Sequence, residues 1–63
     1  MRFKSMTIGG TVDIQNKDEY VVVSIGDGMG HFETDEASVA LIANQWAKFD
    51  QDGRLVERGT SDE

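Results

Sequence analysis

The hydrophobic and polar positions divide the chain into two parts with different periodicities. Up to Thr34, apolar and polar residues tend to alternate, which is typical of β-strands. Across residues 35–49 the apolar residues instead fall in one stripe at about 100° per residue, as on an amphipathic helix. The stripe consists of Val39, Ile42, Ala43, Trp46 and Phe49.

The composition of this segment also favours a helix over Asp35–Phe49. It contains four alanines and no Gly or Pro. Thr34 is suited to cap the first turn, and Asp35, Glu36 and Lys48 have the signs that match the helix dipole. We therefore expect one helix, with Trp46 as the main side chain between it and a sheet.

The first half of the chain predicts a β-hairpin. Met6, Ile8, Val12 and Ile14 would share one face if the chain stayed extended through residues 9–10. The two glycines there fit either a tight turn or a bulge within one strand, and we favour a break. Asn16-Lys17-Asp18 fits a turn, and the β-branched residues of Tyr20–Ile25 predict a strong second strand.

The remaining segments complete an α+β prediction. We interpret residues 26–30 (GDGMG) as a turn, 29–33 as a short strand or extended approach to the helix, and 50–53 (DQDG) as a turn. Residues 54–58 fit a last strand with Leu55 pointing inward, and residues 59–63 an acidic frayed tail. The expected fold is a small antiparallel sheet of three or four strands, in the order β-β-β-α-β, with the helix on one face of a domain spanning residues 1–58.

Length and composition limit what can stabilise the fold. A chain of 63 residues without cysteine has a small core and neither a disulfide nor a thiolate metal site. Homo-oligomerisation is then a simple way to bury more apolar surface. No apolar run approaches the roughly 20 residues of a membrane span, and the first residues lack the apolar core of a signal peptide, so we expect a cytoplasmic protein.

The charge distribution argues against direct contact with nucleic acids or anionic membranes. Twelve acidic and six basic residues give a net charge of −6, and residues 18–47 contain no Lys or Arg. Phosphate groups would be repelled by this middle region. Solubility alone explains much of such a charge.

Three patterns resemble chemical sites without completing one. The glycine-rich residues 26–30 lack the spacing and the lysine of a phosphate-binding loop, so a turn explains them better. His31 has Glu33 nearby to orient it but no nucleophile motif, which favours an ordinary polar histidine on a strand. Asp50 to Gly53 begins like a calcium loop but places its glycine too early. We therefore expect no catalytic activity, cofactor or metal.

Two features remain as candidate contact surfaces. The carboxylates of Asp27, Glu33, Asp35 and Glu36 would concentrate negative charge near the start of the helix and could receive a basic partner. Leu41 would lie on the solvent side of the helix and could contact a partner chain.

The leading hypothesis is a small, acidic, non-catalytic protein-binding module. By analogy with compact acidic products of phages and mobile elements, it would act as an inhibitor and nucleic-acid mimic that occupies a basic, nucleic-acid-binding surface of a host protein. The alternative is a homo-oligomeric assembly module, for example a homodimer formed through the sheet edge or the Leu41 face, whose charge serves only solubility.

Overall fold

The structure is a computed structural model that describes residues 2–61, and these residues form five β-strands. The α+β prediction, with its β-β-β-α-β order, is therefore wrong: the order is five consecutive strands, and no helix occurs within residues 2–61. Nor does this part of the chain hold any helix with the length and apolar character needed to cross a membrane. The strands are β1 (Phe3–Asn16), β2 (Tyr20–Thr34), β3 (Ser38–Ile42), β4 (Gln45–Asp50) and β5 (Leu55–Thr60).

The five strands form one antiparallel sheet around the long strand β2. One edge of β2 pairs with β1 along almost its whole length. The other edge pairs with β4 through residues 20–24 and with β3 through residues 29–33. β3 and β4 thus follow each other along the same edge of β2, separated by Ala43 and Asn44, and β5 pairs with β4.

The sheet bends in its middle, where β1 and β2 are irregular and where β3 ends and β4 begins. In β1 the register shifts at Gly9-Gly10, and in β2 it shifts between Ile25 and Asp27. The gap between β3 and β4 lies beside the same place, because the backbone N–H of Asn44 donates to the carbonyl of Ile25 at 2.7 Å. Bulges bend strands and increase their twist, so the sheet folds toward itself here.

The bend divides the sheet into two layers. The first layer contains residues 3–8, 29–34 and 38–42, and the second contains residues 11–16, 20–25, 45–50 and 55–60. The face of each layer that points toward the other is its inner face, and the opposite face is its outer face. Phe3 joins the two layers, since its ring stacks on Phe32 of the first and meets Phe49 of the second edge to face.

The core lies between the two layers and is entirely apolar. Its buried residues are Val21, Val23, Ile25, Phe32, Val39, Leu41, Ala47 and Phe49, with Phe3, Ala37 and Leu55 packed against them. In β2 the buried residues are odd-numbered before the bend and include Phe32 after it. The bulge supplies the extra residue that reverses the alternation.

The bulge also separates the four apolar residues of β1 that we expected on one face. β1 is continuous through Gly9-Gly10, so the break we favoured is wrong and the bulge is correct. Directly paired residues of antiparallel strands share a face. Ile8 pairs with exposed Met29 on the outer face, whereas Ile14 pairs with buried Val23 on the inner face.

The predicted helix is replaced by β3 and β4. Val39 and Phe49 are buried as expected, but Ile42 is exposed and Ala43 lies in the turn. Trp46 is only partly buried, on the outer face beside Gly59, so it is not the central core residue. Two alternating strand patterns separated by a two-residue turn produced spacings that mimic a helical stripe. Pairing with β2 outweighs the helix propensity of the alanines.

Several local predictions are confirmed. β1 and β2 form the expected hairpin, Gly53 has the positive φ (91°) of a turn, and Leu55 packs against the core. The hydroxyl of Thr34 accepts hydrogen bonds from the N–H groups of Glu36 and Ala37, as a helix cap would, but a turn follows it.

The C-terminal end differs from the frayed tail that we expected. Gly59 and Thr60 belong to β5 and pair with Trp46 and Gln45, so the last strand extends two residues beyond the expected residues 54–58. Residues 62–63 of that predicted tail lie outside the described residues.

Candidate functional site

The outer face of the first layer carries an exposed apolar patch formed by three strands. We define the outer patch as Met6 and Ile8 of β1, Met29 of β2 and Ile42 of β3. Met29 pairs directly with both Ile8 and Ile42, so the four side chains are neighbours on one face. Each is 48–69% exposed. Contiguous exposed apolar side chains of this kind commonly mark interaction sites.

The outer patch surrounds a shallow depression with a volume of about 170 Å³. Its lining is almost entirely apolar, and besides the outer patch it includes Gly30, Ala40, Leu41 and the imidazole of His31. A depression with one polar side chain is better suited to an apolar side chain of a protein than to a small polar substrate.

The outer face of the second layer differs because it combines charged and aromatic side chains. Lys48 forms an ion pair with Glu57 at 3.3 Å, and its ammonium lies 4.6 Å from the centre of the Tyr20 ring. Trp46 covers Gly59 on the same face. Except for Val56 of β5, the large exposed apolar side chains within residues 2–61 lie on the first layer or along β1.

β1 has a long edge that no strand within residues 2–61 pairs with. It extends for 14 residues, of which only Phe3 is partly buried. Apolar side chains project from both of its faces: Met6 and Ile8 on the outer face, and Val12 and Ile14 on the inner face. Long unpaired edges with apolar side chains are sites where another chain can add a strand.

The acidic residues predicted as a docking face do not form one cluster. Asp27 lies at the bend, whereas Glu33 is six residues further along β2, about 20 Å of extended strand away. Asp35 and Glu36 lie in the turn after β2. Glu33 faces Lys4 across the β1–β2 pair, and the backbone N–H of Arg2 lies 3.5 Å from a carboxylate oxygen of Asp35. Two cationic residues therefore lie among the acidic ones.

Leu41 cannot be the exposed interface residue that the helix predicted. It is 1% exposed and belongs to the core, next to exposed Ile42 in β3. The helical interpretation assigned these two neighbours to the wrong faces, because in a strand the side chains alternate at every residue.

The three sequence patterns that resemble chemical sites have structural explanations. Residues 26–30 lie inside β2 at the bend rather than in a loop before a helix, so the hairpin turn expected there is also wrong. His31 lies exposed on the outer face between Met6 and Ala40, and no hydrogen bond joins it to Glu33. Asp50 uses one carboxylate oxygen to accept the N–H groups of Asp52 and Arg54, which orders a turn.

The described residues contain no candidate metal site. No group of three or more His, Asp or Glu residues within residues 2–61 is arranged to hold a metal ion.

The feature that the sequence analysis did not predict is the outer patch. Its signal was the glycine pair at residues 9–10: interpreted as a bulge, it places Met6 and Ile8 on the face opposite Val12 and Ile14.

Comparisons with protein-family models, with curated proteins and with solved structures found no match.

Proposed function

We propose that this protein is a small non-catalytic assembly module that associates with further copies of itself through β1. The observation that carries the proposal is the unpaired edge of β1, with exposed apolar residues on both faces. Strand addition at such an edge supplies partners for backbone N–H and C=O groups and covers the flanking side chains.

The other sheet edges are less suited to this role. β3 and β5 have five and six residues, against 14 in β1. β5 also carries Glu57 and Arg58, and charged residues on a short strand protect an edge against pairing. β1 has only Lys4 and Asp13 as charged residues.

The size of the core supports self-association. Eight buried residues form it, and a chain of this length buries only about 60% of the surface that its unfolded form exposes. Val12 and Ile14 extend the inner face beyond the core and remain 41% and 46% exposed. A second copy at β1 would cover them and enlarge the apolar core of both copies.

Analytical ultracentrifugation over a range of concentrations tests the proposal. We expect the wild-type protein to sediment as a dimer or larger oligomer, with dissociation on dilution. Ile8→Ser should weaken association because Ile8 lies on β1, whereas the matched control Val56→Ser, at a similarly exposed position on β5, should not. A wild-type protein that remains monomeric at about 1 mM would overturn the proposal.

A second candidate, binding of a basic protein surface, is favoured by one observation. None of the carboxylates of Asp27, Glu33, Asp35 and Glu36 is in an ion pair within residues 2–61, so they are available to a basic partner. Capture of a binding protein by the wild type at low but not at high salt, and loss of capture by Asp35→Lys/Glu36→Lys, would support it. Equal retention at both salt concentrations would contradict an electrostatic interface.

The proposal retains the other expectations drawn from the sequence: no catalytic activity, no cofactor or metal, no direct contact with nucleic acid or membrane, and a cytoplasmic location.

A further inference from the structure

We infer that two copies of this chain pair their β1 strands antiparallel about a twofold axis, with Ile8 of each copy opposite Ile8 of the other. The inference rests on the proposed self-association and specifies its register. In this register Lys4 faces Asp13 of the second copy, and Phe3 faces Ile14 of the second copy.

Because of the bulge at Gly9-Gly10, this register pairs outer-face residues with outer-face residues and inner-face residues with inner-face residues. Before the bulge, the even-numbered residues Lys4, Met6 and Ile8 lie on the outer face. After it, the outer face carries the odd-numbered Thr11 and Asp13, because the bulge adds one residue. A twofold axis perpendicular to the sheet keeps each face on its own side, so outer residues must face outer residues.

The position of the twofold axis at Ile8 follows from the way β1 residues are spaced along their pairing with β2. Gly9 and Gly10 together occupy one step, since Ile8 pairs with Met29 and Thr11 with Asp27. The same number of steps therefore separates Ile8 from Lys4 and from Asp13. An antiparallel copy centred on Ile8 places Lys4 opposite Asp13 twice, once on each side of the axis.

Charge complementarity selects this register from its neighbours. Lys4 and Asp13 are the only charged residues of β1, and they have opposite signs. If the second copy is shifted by two residues, so that the two β1 strands overlap along their whole length, Lys4 lies opposite Gln15 and Asp13 lies opposite Met6. A parallel arrangement in register would place like charges together, which is unfavourable.

The inner face is complementary in the same register. Phe3 and Ser5 of one copy lie opposite Ile14 and Val12 of the other, so each partly exposed apolar residue of the second half of β1 gains a neighbour. The inner faces of the two copies then continue across the junction. Because the interface is isologous, it closes at two copies along this edge.

Charge reversal on two separate variants provides the first test. In a homodimer of Asp13→Lys, positions 4 and 13 face each other and both carry lysine. In a homodimer of Lys4→Glu, both carry a carboxylate. Each variant alone should associate about tenfold more weakly than the wild type, and an equimolar mixture should recover wild-type association as a heterodimer. Asp52→Lys makes the same charge change in the exposed β4–β5 turn and should leave association unchanged.

Cysteine cross-linking provides the second test and does not depend on charge. The chain has no cysteine, so Ile8→Cys introduces a single thiol that should form an intermolecular disulfide rapidly under mild oxidation. Val56→Cys on β5 should remain largely uncross-linked. Thermal unfolding of every variant verifies that it folds.

The outcomes separate the register from the self-association it rests on. A wild-type dimer with equal cross-linking of the two cysteine variants, or with no gain on mixing the charge variants, would overturn the register while self-association stands. A monomeric wild type would overturn both.

Discussion

The ring of Phe3 meets the ring of Phe49 edge to face, with 6.1 Å between their centroids. Phe3 begins β1 and Phe49 lies near the end of β4, so this contact joins the two layers of the folded sheet. Phe3 also stacks on Phe32 at the same centroid distance. A partly buried side chain thus closes the core at one end.

Truncation of Phe3 should loosen this closure. We expect Phe3→Ala to lower the free energy of unfolding by about 2–3 kcal/mol, somewhat less than for a fully buried Phe. Phe3→Leu keeps most of the apolar volume and should lower it by about 1 kcal/mol. Urea unfolding measures both; equal stability of wild type and Phe3→Ala would contradict the contact.

Two glycines at the bend should differ in their tolerance of a methyl group. Gly28 has φ of +88°, and a Cβ there would lie 2.5 Å from the carbonyl oxygens of Ile8 and Gly9. Gly9 also has a positive φ, but its Cβ would meet open space. We expect Gly9→Ala to cost about 1 kcal/mol from backbone strain alone, and Gly28→Ala about 3 kcal/mol or failure to fold. Similar melting temperatures for the two variants would contradict the bulge geometry.

The hydroxyl of Thr34 should be needed for stability where the two layers meet. It donates to the carbonyl of Gly53 and accepts the N–H groups of Glu36 and Ala37. Thr34→Val removes the hydroxyl but keeps the shape, and we expect a loss of about 1–2 kcal/mol. Thr34→Ser retains the hydroxyl and should lose less than half of that in the same unfolding assay.

Neighbouring residues of β3 distinguish the strand from the helix predicted by the sequence. Leu41 is buried and Ile42 is 55% exposed. Leu41→Ala should therefore cost about 3 kcal/mol and Ile42→Ala less than about 1 kcal/mol. The helical stripe requires the reverse order, so a larger loss for Ile42→Ala would contradict the sheet.

Local signals were sufficient where the partner lay close in the chain. The turn at residues 16–18 and the alternation of Tyr20–Ile25 predicted the β1–β2 hairpin, with Val21, Val23 and Ile25 on one face. The Asp50–Gly53 turn and the inward Leu55 were equally local. In each case a few residues of turn chemistry or strand propensity determine the structure without distant contacts.

The surface of the candidate site was not predictable by the same route. The bulge at Gly9-Gly10 packs against Gly28 of β2, where a Cβ would lie 2.5 Å from the carbonyl oxygens of Ile8 and Gly9. This bulge decides which apolar residues of β1 reach solvent on the outer face. It also creates the outer patch, to which β2 and β3 contribute Met29 and Ile42.

The amino-acid order alone determined the β1–β2 hairpin, the Asp50–Gly53 turn, the acidic character and the absence of disulfides, because these depend on neighbouring residues or on composition. Only the tertiary structure decided that residues 38–50 are strands and that Leu41 is inside while Ile42 is outside. The physical reason is that alanine-rich segments satisfy their backbone hydrogen bonds in a helix or in a sheet, and the distant strand β2 supplies the pairing that selects the sheet.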